Sequence, residues 1–283
     1  MTIKEFETRF PTEEACMDCL VAMRWKNGVI CPRCENAKVY KLAKPYRWVC
    51  KKCAKNGYRF SPTAKTIFDN SNIKLRVWFH AILLMVHSKK GISALQIHRM
   101  LGTGSYETAW YMCHRIRAAM KDGAFRHHSG VVEIDETYVG GKPRNRHSGE
   151  RKSKTAVIGA IARKGNVIAR VIRDTTNETM HNFVTRTVGT RVSLVATDEH
   201  RAYKSLKRLG YKHKSVNHSR GEYVRGLVHT ANLDSFWCLL KRGIVGTFHN
   251  VSKEYLPFYL NEFSFRHNNR ESGDIFGAVV RGC

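Results

Sequence analysis

Acidic residues are scarce in this chain of 283 residues, which carries 23 Asp and Glu against 49 Lys and Arg and a formal net charge of +26. A basic surplus of this size on a globular chain indicates a polyanionic partner, and nucleic acid is the leading one. The sequence shows no basic amphipathic helix, which disfavours an anionic membrane surface. Hydrophobic residues make up 42% of the chain, which excludes a disordered basic tail. The length allows about two domains.

Long hydrophobic runs are also missing. The longest, Ala81–Val86, is far too short to span a bilayer, and the N-terminus lacks the apolar core of a signal peptide. We therefore expect a cytoplasmic protein that lies at the nucleoid when it is bound to DNA. Because thiols stay reduced in the cytoplasm, the nine cysteines are expected to be metal ligands or core residues rather than disulfides.

Composition and periodicity divide the chain into segments. Residues 1–70 contain six of the nine cysteines and are expected to form a small metal-binding domain with a short N-terminal helix. Residues 73–121 have helical periodicity, and a polar linker is predicted at 122–130. Residues 131–275 first alternate strands with helices and then return to long helical periods, which predicts an α/β core.

Two Cys-x-x-Cys pairs occur in the first segment, Cys31 with Cys34 and Cys50 with Cys53. Each pair can form a tight turn that directs two sulfurs at one ion, and 15 residues separate the pairs, which suits a tetrahedral zinc site. Short strands between the pairs complete the pattern of a zinc ribbon. A segment this small has little core of its own, so the metal would supply stability.

A third cysteine pair, Cys16 and Cys19, lies in a stretch with helical periodicity. Metal ligation from a helix at this spacing is possible. Burial of both thiols on an amphipathic helix is the favoured interpretation.

The second segment has the pattern of a helix-turn-helix. A short helix is followed by a glycine-containing turn, and Ser105 is a suitable N-cap for the next helix, which carries Arg115 and Arg117. In a helix-turn-helix the last helix enters the major groove, so these arginines are predicted DNA contacts. The alternative is an ordinary three-helix core with a solvated basic face. The basic charge and the adjacent zinc module favour DNA contact.

The third segment predicts three strands, a helix, a strand, a helix, a strand and a helix, which is the chain order of the RNase H-like fold. Its mixed sheet, flanked by helices, places the first and fourth strands side by side. Asp135 lies within the first strand and Asp198 ends the fourth, so we expect them to be neighbours. Asp234 opens the helix after the last strand and can point at both.

Clustered carboxylates of this kind suit a two-metal site. Two Mg²⁺ or Mn²⁺ ions held about 3.5–4 Å apart can activate an attacking oxygen and neutralise a leaving oxygen in phosphodiester chemistry. Hard cations prefer oxygen ligands, and carboxylates this close repel one another without a cation. Alone, Asp198 or Asp234 could simply cap a helix. Their conjunction with the strand order favours the metal site.

Several longer motifs resemble the ISXO-like transposases of bacterial insertion sequences, which are DDE-type enzymes with an RNase H-like core. They are "EIDETYVGGK", "ATDEHRAY", "SFWCLLKRGIVGTFHNVSKEYL" and "EFSFRHNNR", and "CPRC", "TIFDNS" and "SKKGISALQIHRMLG" resemble the N-terminal part of that family. The resemblance covers nearly the whole chain. It implies a transposase that hydrolyses DNA at the element ends and then transfers a strand through the freed 3′-hydroxyl.

By this resemblance Asp135 and Asp198 are the first two catalytic acids, and Asp234 stands where the family usually has Glu. Aspartate is shorter by one carbon–carbon bond, about 1.5 Å. Some relatives have Asn as the third site residue, followed by Lys, which makes Asn232 a backup catalytic candidate and Lys241 a candidate phosphate contact. The 35 residues between Asp198 and Asp234 are a separation familiar in DDE enzymes and favour Asp234.

Two more acids and a basic loop surround the first catalytic candidate. Glu133 shares a strand face with Asp135 and is expected to be solvated at the rim of the site, with a supporting role as the alternative. Glu136 is expected to point to the opposite face. A loop at 142–154 has six Lys or Arg, including Arg144 and Arg146, which are predicted phosphate contacts or else a solvated hairpin tip.

The leading hypothesis is therefore a metal-dependent DNA transposase, with element ends and target DNA as partners and a dimer or larger assembly on DNA. The Asp at 234 and a C-terminus shorter than is usual in the family leave open an inactive, transposase-derived DNA-binding protein. A plain RNase H-like nuclease is disfavoured because it does not need sequence-reading domains.

Overall fold

The computed structural model describes residues 1–121, 130–140 and 154–283. The chain forms two compact units. The first contains residues 1–120 and 272–283, and the second contains residues 121–271. The C-terminal segment therefore groups with the N-terminal unit, whereas the sequence pattern assigned residues up to 275 to the core. The predicted linker at 122–130 lies almost entirely outside the described residues.

The first unit contains a three-stranded antiparallel sheet and six described helices. Its strands are β1 (Tyr40–Lys41), β2 (Trp48–Cys50) and β3 (Tyr58–Phe60), in the order β1-β2-β3. Its helices are α1 (Ile3–Arg9), α2 (Glu13–Arg24), α3 (Leu75–His87), α4 (Ala94–Leu101), α5 (Tyr106–Ala119) and α9 (Ile275–Gly282).

The ribbon has a small aromatic core. Trp25 and Trp48 meet edge to face with ring centroids 5.5 Å apart, and Phe60 stacks on Trp48 at 6.1 Å. Cys31 and Cys50 are buried in the same cluster. Aromatic pairs add only about 0.5–1.5 kcal/mol each beyond their area burial. A core this small therefore gives limited stability, and a bound metal would add to it.

Helices α3, α4 and α5 occur where the sequence predicts them. Gly102 ends α4 in the left-handed conformation, with φ at 61°, and the Ser105 hydroxyl caps α5 by accepting from the Thr108 N–H. The predicted N-cap is therefore confirmed. A role for this segment in reading DNA stays a prediction.

The two arginines of α5 are not displayed as that prediction requires. Arg117 is only 2% exposed. Arg115 donates to the Asp69 carbonyl at 2.8 Å, and its guanidinium lies 5.6 Å from the Trp78 ring centre. Arg117 is therefore buried and Arg115 is engaged within the unit, and a DNA contact by either side chain stays a prediction.

The second unit is built on a five-stranded mixed sheet in the order β6-β5-β4-β7-β8. Strand β4 pairs antiparallel with β5 and parallel with β7, and β7 pairs parallel with β8. The strands are β4 (Val131–Val139), β5 (Thr155–Ala162), β6 (Val167–Val171), β7 (Leu194–Thr197) and β8 (His213–Ser215). This is the RNase H-like arrangement predicted from the chain order, and it brings the first and fourth strands of the unit together.

Helices cover both faces of this sheet. Helix α6 (Asn177–Thr187) and the 3-10 helix Arg201–Leu209 pack on one face, where Val132 and Ile134 point. Helices α7 (Ala231–Gly243) and α8 (Leu256–Asn268) pack on the other, where Val139 points. Side chains alternate along a strand, so the odd-numbered residues of β4 face α7 and the even-numbered ones face the 3-10 helix.

No helix in the described ranges is long and apolar enough to cross a membrane.

Candidate metal centres

The four cysteines of the two Cys-x-x-Cys pairs come together in the first unit. Their sulfur atoms all lie within 4.8 Å of one another, with Cys31 Sγ 3.4 Å from Cys53 Sγ and Cys34 Sγ 3.8 Å from Cys50 Sγ. A tetrahedral zinc with bonds of about 2.3 Å needs sulfur separations close to these values. The set fits a structural zinc site that has no position open to substrate.

The third cysteine pair does not join this cluster. Cys16 is buried in α2, and burial raises the pKa of its thiol to about 12. No disulfide joins any of the nine cysteines, all of which lie in the described part of the chain. The favoured interpretation of Cys16 as a core thiol agrees with this placement.

Carboxylates gather in the second unit where β4 and β7 run side by side. Oxygens of Asp135, Glu136 and Asp198 lie within 4.8 Å of one another. Asp135 is in β4, and Asp198 follows the last residue of β7. The sheet therefore brings the first two predicted acids together.

Asp135 is held on the α7 side of the sheet. The indole Nε1 of Trp237, which is buried in α7, donates to Asp135 Oδ2 at 2.9 Å. Burial raises the pKa of Asp135 to about 8, and the charges of Glu136, Asp198 and Asp234 add to the rise. Burial and these like charges therefore disfavour the ionised form of the carboxyl, and a bound cation would favour it.

Glu136 leaves β4 on the face that strand alternation predicts, but its carboxylate still reaches the acidic group. Its side chain leaves β4 on the opposite face from Asp135, where the Tyr203 hydroxyl donates to Glu136 Oε2 at 2.7 Å. Its carboxylate nevertheless joins Asp135 and Asp198. Burial raises the pKa of Glu136, and Asp198 adds to the rise while the Tyr203 hydrogen bond opposes it.

Asp234 lies in the first turn of α7, outside the group of three carboxylates that approach within 4.8 Å. Its Oδ2 accepts a hydrogen bond at 3.0 Å from the Thr230 hydroxyl, at the N-cap of the same helix. It is still near enough for its charge to raise the pKa of Asp135. Of the three predicted catalytic acids, Asp234 is the one whose carboxylate does not join the group.

Glu133 is fully buried, at 0% exposure, and the expectation of a solvated rim position is wrong. Its carboxylate accepts from the backbone N–H of Asn232 at 3.0 Å and of Leu233 at 3.3 Å, and from Arg163 Nε at 3.0 Å. The side-chain amide of Asn232 also donates to Glu133 at 2.7 Å. Glu133 thus anchors the N-terminus of α7, and the backup candidate Asn232 is bound to that anchor.

Replacing Glu133 with alanine is expected to lower the free energy of unfolding by about 3–5 kcal/mol, because the change leaves the half-buried Arg163 and the first N–H groups of α7 without their acceptor. Urea denaturation of wild type and Glu133→Ala measures the difference. Glu178→Ala, an exposed acid in the first turn of α6, is the matched control and should change the value by less than about 0.5 kcal/mol. Equal values for both variants would contradict the anchoring role.

Gly159 makes room for the tryptophan that holds Asp135. It lies in β5 directly opposite Asp135. A Cβ at this position would come within 2.6 Å of the Trp237 ring and 3.1 Å of Leu233. A glycine inside an otherwise apolar strand was the sequence signal for such a close approach.

Gly159→Ala is therefore expected to push α7 from the sheet, with a loss of about 1–3 kcal/mol in stability through overpacking. Thermal or urea unfolding measures it. Gly246→Ala is the control, because nothing lies within 4 Å of the added methyl group and the residue has no left-handed backbone. Unchanged stability for Gly159→Ala would show that α7 does not pack this closely.

Basic side chains lie close to the carboxylates. A cleft of ≈ 430 Å³ is lined by Asp198 together with His200, Arg201, Lys204 and Arg220, among others. Lys241 is exposed in the last turn of α7. Arg144 and Arg146, the predicted loop contacts, lie outside the described residues.

An RNase H-like sheet with one aspartate in its central strand and a second directly after the neighbouring parallel strand, preceded by a four-cysteine zinc ribbon, is typical of DDE transposases. Sequence comparisons agree with this class. The family described as ISXO2-like transposase domain matches residues 128–268, and the transposase zinc-ribbon domain matches residues 11–56. The chain belongs to the ISXO2-like transposase family.

A relative from a transposable element is similar over most of its length. An uncharacterised protein in the transposable element ISH50 of Halobacterium salinarum is 29% identical over 277 residues, covering 91% of each chain. A chain in the cryo-EM structure of a simian T-cell lymphotropic virus intasome with the PP2A subunit B56 gamma is 12% identical, with a TM-score of 0.31. That match covers 60% of this chain and 63% of the other.

Proposed function

We propose that this protein binds the ends of its insertion sequence and catalyses phosphodiester hydrolysis followed by strand transfer. The observation that carries the proposal is the meeting of Asp135 and Asp198 at the β4–β7 edge of a transposase domain. Asp234, at the position of the third family acid, is the remaining catalytic candidate.

Divalent ions, Mg²⁺ or Mn²⁺, would supply activation of the attacking oxygen and neutralisation of the leaving oxygen when bound. Asp135 and Asp198 would hold them, and Asp234 would approach from α7. The Trp237 indole N–H fixes the orientation of Asp135 through its hydrogen bond to Oδ2. The donor set is all oxygen, which suits these hard cations.

DNA would be held by the basic side chains around the acids. Arg201, Lys204 and Arg220 line the cleft beside Asp198, and Lys241 projects from the helix that carries Asp234. Each can contact a phosphate without regard to base sequence. We assign sequence reading to the N-terminal unit, and we expect a dimer or larger assembly on DNA because transposition joins two element ends.

The test uses purified full-length protein, labelled DNA from the ends of its own element, and Mg²⁺ or Mn²⁺. Nicked ends and joined products are expected, and both should disappear with a metal chelator. Cleavage without joining would favour a nuclease. Binding without either product would favour the inactive DNA-binding protein, for which the Asp234–Thr230 hydrogen bond is the supporting observation.

A further inference from the structure

We propose that Glu136 is a ligand of the divalent ion held by Asp135 and Asp198, and that Tyr203 positions its carboxylate. This inference rests on the proposed function and adds a ligand that neither the motif pattern nor strand alternation assigns. The carboxylate of Glu136, unlike that of Asp234, meets both aspartates within 4.8 Å.

The end of β7 explains how a side chain from the opposite face reaches the site. The parallel pairing of β4 with β7 runs only as far as Glu133 with Ala196. Beyond it β4 continues to Val139, whereas β7 stops at Thr197. Side chains from both faces of β4 can therefore converge over the end of β7, where Asp198 lies, and the longer glutamate reaches around the strand edge.

Tyr203 gives Glu136 a fixed orientation. The tyrosine is fully buried in the core between the sheet and the 3-10 helix, and its hydroxyl donates to Glu136 Oε2. A buried hydroxyl needs a partner, so this hydrogen bond restrains the carboxylate. The other oxygen, Oε1, lies 3.9 Å from His200 Nε2. Tyr203 thus holds Oε2 by a hydrogen bond, while the carboxylate of Glu136 lies close to those of Asp135 and Asp198.

Charge supports the same assignment. Three carboxylates this close repel one another when ionised, and a divalent cation is the natural compensation. Hydrogen bonds behind a ligand orient it, and loss of such a partner commonly weakens metal binding by about 10–100-fold. Tyr203 is such a hydrogen-bond partner of Glu136.

The test is calorimetric titration of full-length protein with Mn²⁺ in the absence of DNA. Glu136→Gln is expected to weaken Mn²⁺ binding at this site by at least about 10-fold, and Tyr203→Phe by about 10-fold. Glu136→Asp, which keeps the charge but withdraws the carboxylate, should also bind weakly. Glu178→Gln is the matched control, because Glu178 is an exposed acid in the first turn of α6 and lies outside the three-acid group.

The outcomes separate the inference from the proposed function. Wild-type Mn²⁺ affinity in both Glu136 variants, with binding lost in Asp135→Asn, would overturn the role of Glu136 and leave the proposed site intact. Unchanged binding in Asp135→Asn and Asp198→Asn would overturn the proposed metal site itself. Thermal unfolding of each metal-free variant shows that it is folded, and Tyr203→Phe tests the inference separately should Glu136→Gln not fold.

Discussion

Asp135→Asn is expected to lower the rate of element-end cleavage by at least about 1,000-fold, the largest effect on activity predicted for a single substitution. The change removes a carboxylate that lies next to Asp198 and is held by Trp237 of α7. Electrostatic stabilisation of a phosphoryl-transfer transition state contributes a rate factor of about this size. Single-turnover cleavage of labelled end DNA in Mg²⁺ measures the rate.

Stability distinguishes a catalytic loss from misfolding. Asparagine has nearly the same shape and can still accept the Trp237 hydrogen bond. Folding raises the pKa of Asp135 to about 8, because the ionised carboxylate is disfavoured in its buried site. Without a bound cation, the free energy of unfolding of wild type therefore falls as the pH rises from about 4 through 8. Metal-free Asp135→Asn should therefore be at least as stable as wild type at pH 8. Lower stability, or retained cleavage, would contradict the assignment.

Cys31→Ser is expected to abolish zinc binding and unfold the ribbon, the largest effect on stability predicted here. Apparent zinc-binding free energies of about 10–16 kcal/mol in small zinc domains are also their folding free energies, and the ribbon's own aromatic core is small. Zinc content by elemental analysis and protease sensitivity of residues 11–56 measure the loss.

Cys238→Ser is the matched control for the zinc experiment. Cys238 is an exposed thiol in α7, outside the four-cysteine cluster, so its loss should leave the zinc content unchanged. Full zinc occupancy in Cys31→Ser would show that the four thiols do not form the site.

The RNase H-like core and the pairing of Asp135 with Asp198 could be predicted because strand order follows from the sequence of periodic segments. Once the first and fourth strands are known to be neighbours, residues at their ends must meet. The positions of Glu133 and Glu136 could not be predicted in this way. Alternation gives the face of a strand to which a side chain points, but the packing partner on that face decides whether it is buried, exposed or drawn into a site.

Arg115 and Arg117 show the same limit in a helix. Their sequence pattern is equally compatible with a DNA-reading surface and with burial, and the partners of Arg115, the Asp69 carbonyl and the Trp78 ring, come from distant parts of the chain. Likewise, nothing in the motif around Trp237 shows that its indole holds Asp135, although Gly159 was a sequence signal of a close approach.

The sequence by itself predicted the clustering of four cysteines, the order of the sheet and the meeting of Asp135 with Asp198, because short cysteine spacings and hydrophobic periods act locally along the chain. Only the tertiary structure decided that Glu133 anchors α7, that Glu136 joins Asp135 and Asp198, and that Asp234 binds Thr230 at its own helix end. The physical reason is that these contacts depend on where β7 stops and which helix covers each face, and both are settled by packing between segments far apart in the chain.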